Sequence, residues 1–467
     1  MKPTNSYNLL GEKWIPVLFN NGKFERVGIK QALTEAHQIR QIAASNPMDR
    51  VAIIRFLLAL LYWCKGNPPD NEKAMSADSF PKDWFQKLDD NKECFNLLGE
   101  GKRFYQYKIP GDKQATINYL IHEIPTGINF WHFRHATEEL NGLCPACCAL
   151  GLLRLPIFST SGGRGKSPGI NAKPPIYIIP IGQLLASTIR LSWRQVSNLG
   201  EPAWKNPALQ LPNRGEVPLL TGLTWLPRRV WLDNPEETED ICISCGRKEY
   251  LIKHCIFAGI GTTKSGEDSP GRIWKDPQVI YEQTNKGDIV SLHAKDALGA
   301  DDAAAGQWAE ILARVVGKNE PGKLWVVGFS TVQNDKYLEA TEWLIPLSNL
   351  PEQPQKLIQK IEQWIKETKI AKKIPHKEFS SVIASVRPHT ERRVSVNLGR
   401  LLSGGDEAWE EAAREYRPMM EALAQSLSPG FTVTAVQRRK GIANTLPDMG
   451  TKTEPEKKSR QKKGENQ

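Results

Sequence analysis

The chain has 467 residues, of which 40% are hydrophobic and 14 are tryptophan. A chain of this length and composition forms two or three globular domains with buried cores, so an intrinsically disordered or fibrous protein is excluded. Its formal net charge is +10 and its isoelectric point is about 9.1. This charge favours a polyanionic partner, such as nucleic acid or an acidic membrane surface, and a solvated basic surface explains it equally well.

The most apolar stretch, NPMDRVAIIRFLLALLYWCKG at 46–66, predicts a helix with Asn46 as its N-cap and Pro47 at the first helical position. Its uncharged centre, residues 56–64, is far shorter than the roughly 20 residues that span a bilayer, so we expect a buried core helix. The N-terminal stretch has no apolar run before a cleavage site. We therefore expect a cytoplasmic protein with no membrane partner, in which clustered cysteines bind metal.

Short apolar runs alternate with a few helical stretches and many Pro and Gly turns over residues 1–350. This texture predicts an α+β fold with a large, irregular mixed α/β N-terminal domain. From residue 351 to 446 apolar residues recur at helical spacing, which predicts a C-terminal helical bundle. Residues 447–467 have almost no apolar side chains and many lysines, so we expect a disordered basic tail.

An aromatic and basic stretch, NFWHFRHATEEL, occupies residues 129–140. His132 and His135 are three residues apart, but the residues around them are aromatic and basic rather than further metal ligands. This composition fits base stacking and phosphate contact, and it fits a buried aromatic hairpin equally well.

Two CxxC pairs are the strongest motif in the chain. CPAC places Cys144 and Cys147 on one turn, and after a long insertion CISC places Cys242 and Cys245 on another. Two such knuckles complete the tetrahedral thiolate shell that Zn²⁺ prefers, and four cysteines leave no open position for an activated water. We therefore expect a structural zinc site, in which Cys148 is an alternative to Cys147. Cys64, Cys94 and Cys255 are expected in the core.

Residues 159–169 read STSGGRGKSPG, and their GRGKS core is similar to the end of a phosphate-binding P-loop. The P-loop pattern needs Gly where this chain has Thr160, and it needs a helix where Pro168 follows. Nucleotide hydrolysis is therefore not predicted. The glycines would let the backbone approach a nucleic acid closely, and a surface loop between two strands is the alternative.

Residues 323–347, KLWVVGFSTVQNDKYLEATEWLIPL, contain two strand-like runs around a polar segment, so they predict a hairpin with Gln333 near its tip. A glutamine at such a tip could enter a DNA groove or face water. No HExxH, GxSxG or GxGxxG motif occurs in the chain, and its eight His residues show no metal-ligand spacing. No enzyme class is predicted from these motifs.

The ordered set of features resembles one family, the large subunit (CasA family) of the type I-E CRISPR Cascade surveillance complex. The resemblance rests on NLLGEKWIPV at 8–17, the two knuckles, the glycine loop between them, GLTWLPRRVWL at 222–232, the hairpin and the C-terminal helices. It spans most of the chain.

The resemblance implies a fold and a function. It implies an irregular N-terminal domain, a four-helix bundle and a role without catalysis. Members of the family inspect the protospacer-adjacent motif (PAM) of double-stranded DNA from the minor groove, start strand separation and R-loop formation, and provide a docking surface for the helicase-nuclease. The implied partners are target DNA, the 5′ handle of the guide RNA, and the handle-binding, backbone and small subunits of Cascade.

The resemblance also assigns residues. The glycine loop against the PAM corresponds to Ser161, Gly162, Gly163, Arg164 and Gly165; Arg164 and Lys166 add positive charge to the loop that favours contact with DNA phosphates. The wedge that parts the duplex falls on Gln333, with Thr331, Val332 and Asn334 around it. The minor-groove lysine is assigned to Lys264, with Lys253 as the weaker candidate. The loop that meets the guide handle and neighbouring subunits corresponds to Asn129, Phe130, Trp131, Phe133 and Arg134.

One departure from the family pattern affects PAM choice. Val332 stands where a polar residue such as Asn is expected, so a hydrogen bond to the PAM is lost or moves to Thr331 or Asn334. We expect a non-enzymatic DNA-recognition subunit of Cascade. The alternatives are a zinc-containing nucleic-acid-modifying enzyme and a zinc-ribbon scaffold that binds RNA or protein.

Overall fold

The structure, a computed structural model, describes residues 6–69, 79–124, 141–159, 167–171, 176–212, 214–260, 272–274, 276–280, 323–332 and 336–346. Within these residues the α-helices are α1 (Ile29–Thr34), α2 (Pro47–Lys65), α3 (Gln86–Asp90), α4 (Pro145–Phe158), α5 (Leu185–Ser192) and α6 (Leu219–Thr224). Short 3-10 turns occupy Lys82–Phe85, Lys92–Phe95 and Ile117–Leu120. The strands are β1 (Tyr7–Asn8), β2 (Ile15–Phe19), β3 (Phe24–Val27), β4 (Ile39–Ile42), β5 (Asn96–Leu98), β6 (Gln114–Thr116), β7 (Ile176–Ile181), β8 (Gly215–Glu216), β9 (Arg228–Leu232), β10 (Glu239–Ile241), β11 (Lys248–Tyr250), β12 (His254–Gly259), β13 (Arg272–Ile273), β14 (Val279–Ile280), β15 (Lys323–Val332) and β16 (Lys336–Pro346).

The long helix α2 forms the centre of the core, as its sequence predicts. Asn46 Oδ1 accepts a hydrogen bond from the Met48 N–H at 2.9 Å, and Pro47 stands at the first helical position. Gly66 is the C-cap: its N–H donates to the Tyr62 carbonyl, and its positive φ of 85°, which glycine adopts without strain, turns the chain out of the helix. Almost every residue between these ends is buried. The predicted cap and the predicted burial are therefore confirmed.

Aromatic rings from distant parts of the chain pack around α2. Phe56 lies against Trp14, Phe104 and Trp204, with ring centroids 6.3, 5.5 and 5.7 Å apart. Small antiparallel sheets surround this core, with strand orders β3-β2-β4 and β6-β12-β9. The predicted irregular mixed α/β fold is confirmed for the described residues.

The sheet with strand order β14-β7-β15-β16 contains the predicted hairpin. Lys323 of β15 pairs with Ile181 of β7, and Gly328 pairs with Ile176. Strand β15 then continues beyond the start of β7 and pairs with β16 as far as Val332 and Lys336. The strands are therefore longer than their apolar runs indicate, because polar residues on both sides of the tip also pair. Only residues 333–335 separate them, and these lie outside the described residues.

The predicted C-terminal bundle (351–446) and tail (447–467) lie outside the described residues, so they and the domain boundary at residue 350 stay predictions. In the part of the chain that the structure describes, none of the helices has the length and apolar character needed to cross a membrane.

Candidate metal centre and nucleic-acid interface

The two CxxC knuckles meet in the folded chain. The Sγ atoms of Cys144, Cys147, Cys242 and Cys245 all lie within 4.8 Å of one another, and the Cys144 and Cys245 sulfurs are 3.8 Å apart. Four thiolates at the usual Zn–S distance of about 2.3 Å stand about 3.8 Å apart in a tetrahedron. Cys148 is buried outside this cluster and directs its Sγ to the Leu143 carbonyl oxygen. The set with Cys147 is therefore the one that the fold brings together.

The first knuckle is the beginning of helix α4. Cys144 is the N-cap, Pro145 occupies the first helical position, and Cys147 lies in the first turn. Proline is favoured at this position because its fixed φ suits a helix and its missing N–H would have no partner there. The N-terminal end of a helix carries partial positive charge, which favours the thiolate forms that bind a metal.

The second knuckle is the turn between β10 and β11. Gly246 has a φ of 70° and donates its N–H to the Cys242 carbonyl at 2.8 Å. The Cys242 N–H in turn donates to the Arg247 carbonyl at 2.8 Å. This tight turn holds Cys242 and Cys245 on the side that faces the first knuckle.

Backbone contacts join the two knuckles directly. Leu143 and Ile252 form an antiparallel bridge, and the Cys144 N–H donates to the Cys242 Sγ at 3.3 Å. Gly142, just before the bridge, has a φ of 114°, and a Cβ there would lie 2.8 Å from the Ile252 carbonyl oxygen. A side chain at this position is therefore disfavoured by both conformation and space.

The pKa of each of the four thiols depends on its hydrogen bonds with the other three. A hydrogen bond with Cys144, together with burial, raises the pKa of Cys147, whereas donors from Cys144 and Cys147 lower the pKa of Cys245. Such a cluster balances its charge best around a soft divalent cation, so the residues fit zinc. A bound zinc ion would cross-link the two knuckles, and its four thiolate ligands would leave no open coordination position.

One further residue lies beside the sulfurs and belongs to no sequence motif. Arg26, on β3, donates to the Cys245 Sγ; burial opposes its charge, but this contact raises the pKa of the guanidinium. Because Arg26 lies far from both knuckles in the chain, no local spacing could reveal it. A cation beside a thiolate offsets part of the negative charge of a four-cysteine site.

The residues assigned to the glycine loop, 161–166, lie outside the described residues, but both flanks of the loop are described. The Gly169 N–H donates to the Ser159 carbonyl at 2.8 Å, which closes the base of the loop. Arg228, at the start of β9, donates to the Ser167 carbonyl. Residues 167–171 do not form the helix that a P-loop requires.

The alternative description of a loop between two strands is wrong on the N-terminal side, where helix α4 precedes the loop. The reason is Pro145, which starts a helix through the following apolar run. On the C-terminal side the predicted extended run is strand β7.

A small apolar cluster joins the flank of the glycine loop to the flanks of the Lys264 segment (residues 261–271). Leu211, Val217 and Trp225 form its buried centre. Ile170, which follows the glycine loop, packs against this centre together with Ile260 and Trp274, which flank the Lys264 segment. Lys264 itself lies outside the described residues. Lys253, the weaker candidate, instead lies beside Gly142 at the metal centre.

The described residues nearest to the glycine loop and to the wedge include strands β7 and β15, which are neighbours in one sheet. The loop leads into β7, and Ile176 at the start of β7 pairs with Gly328. Strand β15 runs past this pair to Thr331 and Val332, whose backbones pair with Tyr337 and Lys336. Gln333 and Asn334 follow directly and lie outside the described residues. The start of β7 and the end of β15 therefore lie at the same end of the sheet.

The predicted handle loop, residues 129–135 with Asn129, Phe130, Trp131, Phe133 and Arg134, also lies outside the described residues. Its flanks are well anchored. Before it, Glu123 accepts two hydrogen bonds from Arg154 at 2.8 and 3.0 Å. After it come Gly142 and the metal centre.

Fold and site together define a class: a mixed α/β protein in which two distant cysteine knuckles form one buried four-sulfur centre. Comparison with known proteins identifies the family. Residues 8–451 match the family model of CRISPR-associated protein Cse1, so the chain belongs to the Cse1 family. This confirms the resemblance to the large subunit, CasA, of the type I-E Cascade.

Individual relatives agree with this assignment. The CRISPR-associated protein CasA/Cse1 of Thermus thermophilus is 29% identical over 223 residues, which are 45% of this chain and 44% of that protein, so the match spans less than half of the relative. The crystal structure of Thermobifida fusca Cse1 has a TM-score of 0.65 at 17% identity and covers 96% of this chain and 99% of its own. A chain of a CRISPR RNA-guided surveillance complex has a TM-score of 0.65 at 14% identity, with 94% and 99% covered. These structural likenesses show a shared fold.

Proposed function

We propose that the chain is the DNA-recognition subunit of its Cascade complex. It recognises the PAM of double-stranded DNA through the minor groove, starts strand separation and R-loop formation, and catalyses no reaction itself. The observation that carries the proposal is the arrangement of the flanking residues. Strand β7, which follows the glycine loop in the chain, begins at the end of the sheet where β15 runs on toward Gln333, and residues that flank the glycine loop and the Lys264 segment pack in one apolar cluster.

The chemistry of these segments fits duplex inspection. The minor groove distinguishes A·T from G·C pairs but little more, so a glycine backbone and a lysine can accept several related PAMs. Unstacking one step costs only a few kcal/mol, and exchange of DNA pairing for RNA pairing is nearly balanced. A short wedge such as Gln333 can therefore start the opening, after which the guide RNA reads the sequence.

The remaining parts of the proposal concern partners and metal. The handle loop contacts the 5′ handle of the guide RNA and neighbouring handle-binding, backbone and small subunits, and the helicase-nuclease docks on this chain. Zinc serves structure, since four cysteine ligands leave no position for catalysis. The Arg154–Glu123 contact and the knuckle hold the two flanks of the handle loop, which supports a loop presented on a rigid base.

The test is duplex binding by the reconstituted complex with randomised PAM positions. Gly163→Asp places a side chain and a negative charge where the backbone approaches the groove, so we expect PAM-dependent binding to be lost. Gly11→Asp is the matched control, because Gly11 is exposed with open space around it. Equal PAM selection by the two variants would refute the assignment of the loop.

A further inference from the structure

Asn171 contacts a residue that flanks the Lys264 segment and itself lies shortly after the glycine loop. Its Oδ1 accepts a hydrogen bond from Trp274 Nε1 at 2.8 Å, and its Nδ2 donates to Asp276 Oδ2 at 3.3 Å. Asn171 closely follows the glycine loop, and Trp274 closely follows the Lys264 segment. One amide side chain thus connects the C-terminal flanks of both segments.

The acceptor for Asn171 is itself held rigidly. The side chain of Asp276 is fully buried, and its two carboxylate oxygens accept hydrogen bonds from the two terminal nitrogens of Arg55 on α2, at 2.8 and 2.6 Å. The Gln278 N–H also donates to Asp276 at 3.0 Å, and the Gln278 carbonyl accepts from the Ile178 N–H on β7 at 2.8 Å. Asn171 is therefore bound to a charged group fixed between the central helix and the sheet.

Trp274 is fixed by packing as well as by its hydrogen bond. Its ring lies where a Cβ on Gly222 would stand, at a distance of 2.2 Å, so α6 accommodates the indole only because that position is glycine. Ile170 and Ile260 pack against the same small cluster. The indole N–H is thereby aimed at Asn171 by a ring that has little room to move.

We propose that Asn171 and Trp274 are positioning residues that hold the C-terminal flanks of the glycine loop and of the Lys264 segment against each other. This inference rests on the proposed function, because it assumes that both segments contact the PAM. A duplex that contacts two protein segments binds more weakly when those segments move independently, because binding must then also order the segments relative to each other. Neither residue is expected to contact DNA.

The experiment compares Trp274→Phe, Asn171→Ala and the double variant in the reconstituted complex. Trp274→Phe keeps most of the ring and removes the hydrogen bond. Trp225→Phe is the matched control, since Trp225 is buried in the same cluster and, in the part of the chain that the structure describes, its Nε1 has no hydrogen-bond partner. Each variant is measured on a paired PAM duplex and on a target opened beforehand, and thermal unfolding checks that it folds.

We expect Trp274→Phe to weaken binding of the paired PAM duplex about fivefold, which corresponds to the loss of one hydrogen bond, and Asn171→Ala to weaken it at least as much, because it also removes the contact with Asp276. The double variant should lose no more than Asn171→Ala alone, because that change already removes the contact that Trp274→Phe removes. Binding to the opened target, and both measurements on Trp225→Phe, should match wild type.

Three results would overturn the inference: an effect of Trp274→Phe no larger than that of Trp225→Phe, losses that multiply in the double variant, or equal losses on paired and opened targets. Gly163→Asp, measured in parallel, distinguishes a failure of the proposed role of the glycine loop from a failure of this inference. A neutral Gly163→Asp refutes the role of the glycine loop in the proposed function and overturns this inference with it. Loss of PAM-dependent binding in Gly163→Asp together with unchanged binding in the Asn171 and Trp274 variants overturns this inference alone and leaves the role of the loop standing.

Discussion

Arg154 on α4 forms an ion pair with Asp49 on α2, with Nε and Oδ1 2.7 Å apart and the two side chains 8% and 11% exposed. The same guanidinium binds Glu123, shortly before the handle loop. The pairing therefore connects the two longest described helices and one flank of the handle loop through a single buried cation. A buried charge that loses its partner is costly, so the stability of this region depends on Arg154.

Arg154→Met should lower the free energy of unfolding by about 3 kcal/mol, because it leaves Asp49 buried and unpaired. The exposed pair of Lys30 and Asp89, with side chains 49% and 42% exposed, provides the control. Lys30→Met should cost less than about 1 kcal/mol, since solvent screens that pair. Urea unfolding followed by tryptophan fluorescence measures both changes. Similar costs for the two variants would contradict the role given to Arg154.

His122 should make stability depend on pH. Burial, and after it the charge of Arg154, lowers the pKa of His122 to about 3, while Glu123 acts in the opposite direction. In the part of the chain that the structure describes, the buried Nε2 of His122 has no hydrogen-bond partner. Because the folded pKa lies below the unfolded value of about 6.5, stability is complete above pH 6.5 and falls as the pH drops toward 3.

The variant His122→Asn keeps a donor near the Leu120 carbonyl and removes the titration. Between pH 7.5 and pH 5 we expect wild type to lose on the order of 1 kcal/mol more stability than this variant, a figure reduced because His122 is partly exposed. Urea unfolding at each pH tests the difference. Parallel pH profiles would show that the ring does not titrate as described.

Gly142 should not tolerate a side chain. Gly142→Ala forces a φ of 114° on a residue with a Cβ and places that Cβ 2.8 Å from the Ile252 carbonyl oxygen. We expect a loss of about 2 kcal/mol in unfolding free energy and weaker metal retention, because the strain acts where the knuckles join. Gly11→Ala has open space and should change neither quantity measurably. A normal metal content and melting temperature in Gly142→Ala would contradict the expected strain.

Local chemistry made part of this protein predictable. The cap at Asn46, the thiolate spacing of each knuckle and the alternating runs of the hairpin depend on residues close together in the chain, so the sequence alone indicated them. Contacts between distant segments were not predictable in this way. Arg26 beside Cys245, and Trp274 beside Asn171, meet only after β3, the knuckles and the loop flanks have packed. No spacing rule connects such pairs.

Cys144→Ser and Cys242→Ser should each abolish metal binding, whereas Cys148→Ser should retain about one zinc per chain. The first two changes remove a sulfur from the four-ligand shell, while Cys148 lies next to a ligand but outside the cluster. Metal analysis of purified protein, with the melting temperature before and after chelation, measures the outcome. A metal-free wild type that is folded and indifferent to chelators would refute the zinc site, and metal loss in Cys148→Ser alone would assign the fourth ligand to that residue.

Gln333→Ala should slow strand separation more than it weakens initial contact with the duplex. The backbones of Thr331 and Val332 pair as far as the tip, so truncation at position 333 removes the wedge without disturbing the described strands. If the wedge supplies about 1.4 kcal/mol toward unstacking the first step, R-loop formation slows about tenfold. Exposed Gln38 provides the matched Gln→Ala control. Rapid-mixing fluorescence separates the binding and opening phases, and a target opened beforehand should restore the rate of Gln333→Ala to that of wild type. An opening rate equal to that of Gln38→Ala on paired DNA would remove Gln333 from the wedge.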